Sequence, residues 1–173
     1  MTELEAFNTF CSVCGLLHEC RQKCFVFKNF TGGGINMKLK IKLEEGAFTP
    51  LRAHTTDAGL DLRSPVDIWV HPGEEVKIDT LVRLAIPDGY YGLIASKSGL
   101  MLKGITCRGV IDSSYRGTVN AVLFNHGKEG YAIHAGDKVC QIIISPIVIP
   151  DLEFVDELDE TDRNECGFGS SGR

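Results

Sequence analysis

From residue 37 onward the chain is written in short segments of period two, each closed by turn residues before a helix could develop, and this limits it to folds built from strands. Lys38 to Leu43 alternates polar and apolar side chains, the pattern of a strand with one face buried. Asp67 to Val70, Glu75 to Ile86, Tyr90 to Ser96, Thr118 to Asn125, Tyr131 to His134 and Lys138 to Ile149 are branched or aromatic runs. His71-Pro72-Gly73, Pro87-Asp88-Gly89, Asn125-His126-Gly127 and Ala135-Gly136-Asp137 separate them; glycine, proline and short polar side chains supply the backbone angles that tight turns require. Helical periodicity is weak throughout, with room for one short helical turn near Ser98 to Lys103. Many short strands at regular spacing, without internal repeats, predict an all-β sandwich, jelly roll or barrel.

Composition narrows the setting. An apolar content of 43% suits an ordinary globular core, and no apolar run approaches the ~20 residues that cross a bilayer, so no membrane partner is expected. The net charge of −5 is unevenly placed. Residues 37–150 hold twelve acids and thirteen bases, whereas 151–166 hold eight acids against Arg163 alone. The body therefore offers no basic face to DNA or RNA, and the acidic stretch reads as a solvated linker. The start, Met1-Thr2-Glu3-Leu4-Glu5, has neither the basic residues nor the apolar stretch of a signal peptide. The seven cysteines are an odd number, which argues for reduced thiols. Both point to a cytoplasmic protein.

Three regions follow. Residues 1–36 are an appendage that carries Cys11, Cys14, Cys20 and Cys24 around His18 and ends in Thr31-Gly32-Gly33-Gly34. The spacing Cys-x2-Cys-x5-Cys-x3-Cys is a weak zinc knuckle, because paired knuckles need a longer central loop. A second reading is that Met37 is the natural start: codons for Gly32-Gly33 can contain a bacterial ribosome-binding site, so 1–36 would be translated upstream sequence. A peptide spanning Phe27 to Lys40 in the native protein would refute this hypothesis. Residues 37–150 form the β domain, and 151–173 form the acidic linker and a glycine-rich tail.

Five segments depart from plain strand-and-turn composition. Thr56-Asp57-Ala58-Gly59-Leu60-Asp61-Leu62 sets two carboxylates about a bend; each is either a turn cap or a holder of magnesium or its waters. Ser96-Lys97-Ser98-Gly99-Leu100 combines a cation, hydroxyls and exposed backbone N–H groups, which suits phosphate but also an ordinary Ser-Gly turn. Gly109 to Gly117 reads as a β-hairpin, with Asp112 where strand becomes turn, either facing a cleft or capping the turn. Gly136 to Ile142 places the polar Gln141 inside an apolar strand, where its amide needs a backbone or ligand partner. Last, Glu165-Cys166-Gly167-Phe168-Gly169-Ser170-Ser171-Gly172 sets one aromatic ring among glycines, with Arg163 upstream. One ring cannot form a core. Such a tail is either frayed or closes over a flat, phosphorylated ligand, the ring stacking and the arginine meeting phosphate.

In this order the five segments resemble the five motifs of the trimeric dUTPases, the dUTP nucleotidohydrolases. The strongest matches are Asp57 to Leu62, Gly109-Val110-Ile111-Asp112 with Tyr115-Arg116-Gly117, and Gly167 to Gly172. The resemblance covers residues 38 to 172 and omits 1–36. It implies an antiparallel jelly-roll-like distorted barrel with a flexible C-terminal tail, and a homotrimer in which every active site draws on all three subunits. Asp61 and Ser98 would come from one chain, Tyr115 from a second and Phe168 from a third.

The implied reaction is dUTP plus water giving dUMP and pyrophosphate. Asp112 would orient and deprotonate the attacking water. Mg2+ would bridge the triphosphate oxygens, held by Asp61 through its waters. Lys97, Ser98, Gly99 and Gln141 would grip the phosphates. Backbone groups of Gly109, Val110 and Ile111 would pair with uracil as a neighbouring strand would, helped by Asn120, and Tyr115 under the sugar would leave no room for a 2′-hydroxyl. Arg163, Phe168, Gly169 and Ser170 would form the closing lid. The sequence departs from the family at Lys97, where many members have Arg, and at Asn164 and Cys166, which stand for glycines. Thr106 replaces a common Asn, and the Leu100–Gly109 connection is short. The alternatives are a dCTP deaminase of the same fold, which would want an arginine in the Ser-rich motif and a glutamate beside the hairpin, and a dUTP-binding regulatory sensor.

Overall fold

The computed structural model describes residues 37–167. The cysteine cluster with His18, and Phe168, Gly169 and Ser170 of the tail, lie outside the described residues. Within them the chain runs β1 (Lys40–Leu43), β2 (Gly59–Arg63), β3 (Ile68–Val70), β4 (Glu75–Ala85), β5 (Tyr90–Ala95), α1 (Ser98–Met101), β6 (Ile105–Ile111), β7 (Thr118–Asn125), β8 (Tyr131–Ile133) and β9 (Lys138–Pro146). Seven strands form one sheet in the order β1-β4-β7-β6-β5-β9-β2, and β3 and β8 form a separate ribbon. Every pairing is antiparallel.

Period two in the sequence becomes one buried face on β4 and β7, but not on β1, where Ile41 and Leu43 stay exposed like the lysines between them. Along β4, Val76, Ile78, Thr80, Val82 and Leu84 are buried while the residues between them are not. On β7, Val119, Ala121 and Leu123 do the same. With Leu62, Ile94, Ile105, Val139 and Ile142 they make the core, each large side chain contributing on the order of 1.5–3 kcal/mol by leaving water. Val70 and Ile133 extend that core under the ribbon.

The sheet curls because β6 changes partner halfway. Ile105 to Cys107 pair with β7, whereas Arg108 to Ile111 pair with β5. The product is a curled antiparallel half-barrel, the jelly-roll-like all-β architecture the strand pattern predicts. Two boundaries differ by three residues or more. β6 starts at Ile105, well before the Val110-Ile111 arm read from sequence. β9 ends at Pro146; Ile147 N still donates to the Gly89 carbonyl at 3.0 Å, and residues 148 and 149 lie outside the ladder. The helical turn is there, shortened to Ser98–Met101.

Candidate active site

The first cluster is built on Asp61 of β2. Asp61 is only 4% exposed. Lys97 Nζ donates to one oxygen, and Lys138 Nζ donates to the other at 2.7 Å. Burial pushes the Asp61 carboxyl upward, and the Lys138 and Lys97 ammonium groups outweigh it and hold it below the usual carboxylate range. Asp61 lies opposite Gln141 in the β2–β9 ladder. The Gln141 amide donates to the Ser96 carbonyl at 3.2 Å, so its partner is backbone at the end of β5. Ser96 Oγ in turn accepts from Cys107 N at 2.7 Å and donates to Cys107 O at 2.8 Å, pinning the loop to β6. Lys97 is the residue before α1, in an extended conformation. Ser98 and Gly99 after it are exposed, with open space around Gly99. Asp57 is a turn cap: it accepts from His54 N at 2.9 Å.

The second cluster lies at the far end of β6. Asp112 is exposed, just past Ile111. Its carbonyl accepts from Tyr115 N at 3.1 Å, closing the turn. Tyr115 OH donates to Thr118 O at 3.0 Å, and the ring occupies the space a Cβ on Gly117 would need. Arg116 donates to the carbonyls of Ser113 and Tyr115, and Arg83 donates to the Arg116 carbonyl at 2.9 Å. The turn is thereby braced from β4.

Between the arms of this hairpin the ladder is open. The β6–β7 register stops at Cys107↔Leu123. Beyond it Gly109, Val110 and Ile111 pair only with β5, while Thr118 and Asn120 pair with Arg83 and Asp79 of β4. The Gly109–Ile111 arm turns an unpaired backbone edge toward the opening, whereas on the returning arm side chains already occupy the Thr118 carbonyl. Such an edge binds whatever presents matching donors and acceptors in a plane. Asn120 lies beside the opening, its amide on the Thr118 carbonyl at 3.0 Å.

The two clusters do not meet within one chain. Ile111, next to Asp112, pairs with Gly92, and Lys97 lies five residues further along β5 and its loop. At about 3.3 Å per residue they stand roughly 16 Å apart. Arg163 joins neither: it donates to the Cys166 carbonyl at 3.0 Å, within the tail.

Lys138 and Gly59 were not singled out by sequence reasoning as site residues. The available signal for Lys138 was a cation three residues before the polar Gln141 at the mouth of an apolar strand.

Magnesium fits poorly at Asp61 in this arrangement. Both carboxylate oxygens are engaged by ammonium groups, and two cations against one anion leave the cluster positive, which repels a dication. Among the described residues no group of three or more His, Cys, Asp or Glu side chains could hold a metal. No helix among them is long and apolar enough to cross a membrane.

Comparison with known proteins gives a consistent answer. The family model for dUTPase matches residues 46–172. The chain is 43% identical over 135 residues to the deoxyuridine 5'-triphosphate nucleotidohydrolase of Mus musculus, covering 77% of this chain and 83% of that protein. The dUTPase of Staphylococcus bacteriophage 80alpha, solved with dUPNHPP, superposes with a TM-score of 0.73 at 32% identity, covering 79% of this chain and 99% of that one. A dUTPase from phage phi11 of S. aureus, described with a coordinated structural Mg(II) ion, gives 0.65 at 32% identity, covering 70% of this chain and 98% of that one.

Proposed function

The chain belongs to the dUTPase family, and on that premise we propose how its residues carry out the family's reaction. It is a dUTP diphosphatase: it hydrolyses dUTP to dUMP and pyrophosphate, which lowers dUTP, limits uracil incorporation into DNA and supplies dUMP for thymidylate synthesis.

The observation that carries the mechanism is the open ladder between Gly109–Ile111 and Thr118–Asn120, with Asp112 at its mouth. Uracil enters as a short strand would, its edge paired with the Gly109–Ile111 backbone. Cytosine presents a donor where uracil presents an acceptor, and leaves fixed backbone groups unsatisfied. Tyr115, tied to the Thr118 carbonyl, stands under the sugar and excludes a 2′-hydroxyl. Asp112 takes the proton of the water that attacks the α-phosphorus. Its carboxylate is exposed, so a water can sit within hydrogen-bond reach of it.

The phosphates are received by Lys97, Ser98, Gly99 and Gln141 of another subunit, because within one chain those residues stand on the order of 16 Å from Asp112. We infer a homotrimer with shared sites, which this separation supports. A closed ring lets one short chain supply every part. The exposed apolar side chains of Val148, Leu152, Phe154 and Leu158 on the arm after β9 support the same assembly, since an arm of this kind finds cover on a neighbouring copy. The tail after that arm brings Arg163 to the phosphates and Phe168, Gly169 and Ser170 over the base. Mg2+ enters with the triphosphate as part of the substrate, as is usual where an ion takes most of its ligands from phosphate and water. The cytoplasm is the compartment we infer, in keeping with free thiols at Cys107, Cys140 and Cys166.

Pyrophosphate release from dUTP, dTTP, dCTP and UTP tests the reading. Turnover of dUTP alone is expected; comparable turnover of dTTP or UTP would remove the base and sugar assignments. Ammonia released from dCTP would favour the deaminase alternative, which otherwise lacks the glutamate its hairpin would need: Asp112 stands there.

A further inference from the structure

We propose that Lys138 is a positioning residue for substrate binding: it keeps Asp61 compensated so that Lys97 can leave that carboxylate for an incoming phosphate. The inference rests on the reading of Lys97 as a phosphate ligand.

Asp61 is buried and carries one charge, yet two ammonium groups meet it, one on each oxygen. A buried carboxylate with a single partner holds that partner, because losing it strands a charge away from water. Lys97 therefore needs a substitute before it can move. Its side chain is 26% exposed, at the inner edge of the Lys97-Ser98-Gly99 turn. Lys138 is the substitute already in place.

The backbone is shaped for this contact. Leu62 pairs with Cys140, but the next residue, Arg63, pairs with Lys138, so Val139 is an extra residue on β9. In an unbroken ladder Lys138 would share its face with Cys140, opposite to Gln141, whose partner is Asp61. A bulge re-aims the side chains beyond it, and the outcome here is Lys138 Nζ at 2.7 Å from Asp61 Oδ2. Asp61, Lys97 and Lys138 then sum to one surplus positive charge, available to a triphosphate without moving Lys138.

Two measurements test this, after the wild-type protein has been shown to hydrolyse dUTP and bind dUPNHPP; failure at that stage would count against the phosphate-site reading rather than against Lys138 in particular. In the first, Lys138→Met is expected to raise KM for dUTP and Kd for dUPNHPP together, about 10-fold or more, with kcat at saturation within about 3-fold. Lys138→Arg should restore both. In an Asp61→Asn background, where no carboxylate holds Lys97, Lys138→Met should add little. Full additivity of the two losses, or a fall in kcat with KM unchanged, would overturn the proposal. The second needs no variant that might fail to fold. A crystal structure of the wild-type protein with dUPNHPP should show Lys97 Nζ on a phosphate oxygen and Lys138 Nζ still on Asp61. Lys97 remaining on Asp61, or Lys138 crossing to the phosphate, would refute it.

Discussion

The side-chain amide of Gln141 fills the space that a Cβ on Gly59 would occupy, across the ladder between β2 and β9. The glycine is there for that amide. Its backbone is not in the left-handed region, so an alanine is excluded by the neighbour and not by its own angles. Gly59→Ala should push Gln141 off the Ser96 carbonyl and destabilise the fold by about 1–2 kcal/mol through overpacking, with a raised KM for dUTP. Thermal melts of Gly59→Ala and of Gly59→Ala with Gln141→Ala check this. The double variant should melt higher than the single one. If both melt alike, Gln141 is not what the alanine displaces.

Asp112 stands exposed at the mouth of the open hairpin, and among the described residues its side chain holds no other group in place. Asp112→Asn should leave folding and dUPNHPP affinity near wild type and lower kcat by about 100- to 10,000-fold, the usual span for a lost general base. Calorimetric titration with dUPNHPP alongside single-turnover hydrolysis separates the two effects. Retained turnover would assign the water to another group.

Tyr115 is held by its own hydrogen bond to Thr118 O and by its contact over Gly117. Tyr115→Phe keeps the ring and should keep discrimination against UTP. Tyr115→Ala opens the space beneath the sugar and should erode that discrimination by up to about 100-fold, the scale on which a fitted pocket rejects an extra hydroxyl. The ratio of kcat/KM for dUTP and UTP in the two variants measures it.

What the sequence made legible depended on how local the cause was. β4 and β7 could be read directly, because each buries one face along an unbroken period of two. The first half of β6 could not, because Ile105-Thr106-Cys107 is three residues between Gly104 and Arg108, and its strand state comes from pairing with β7. The same change of partner opens the hairpin, so the sequence located the arms but gave no sign that they part. Lys138 was hidden for a related reason. The bulge at Val139 shifts it onto the face of Asp61, and a register shift leaves no periodic trace. The reading of Asp61 as a holder of magnesium waters met two lysines on its oxygens, a contact set by tertiary packing rather than by spacing.

The charge cluster gives a pH dependence with a defined sign. Asp61 titrates below its ordinary value in the folded state, so its contribution to stability is complete above the unfolded carboxylate value, about 4. It is lost as pH falls through the lowered folded value. Melting temperatures should therefore lack any Asp61-linked loss between pH 5 and 8, a range estimated from the same linkage, and should fall below about pH 4. Asp61→Asn removes the buried anion and leaves two lysines that reach solvent, so it should cost no more than about 1 kcal/mol at neutral pH, while flattening the acid limb of the curve. An acid limb of unchanged steepness in Asp61→Asn would place the titrating group elsewhere.

The separation of Asp112 from Lys97 along β5 makes the assembly testable by mixing. On the proposed trimer, Lys97→Met and Asp112→Asn should each be nearly inactive by themselves. Co-refolded in equal amounts, three-quarters of random trimers contain both chains, and each mixed ring has one site that takes Lys97 from one chain and Asp112 from the other. About a quarter of wild-type activity should return, on the closed three-fold arrangement. A site complete within one subunit would recover none at any mixing ratio. Charge tags on the two variants, resolved by ion exchange, would assign the recovered activity to the mixed species.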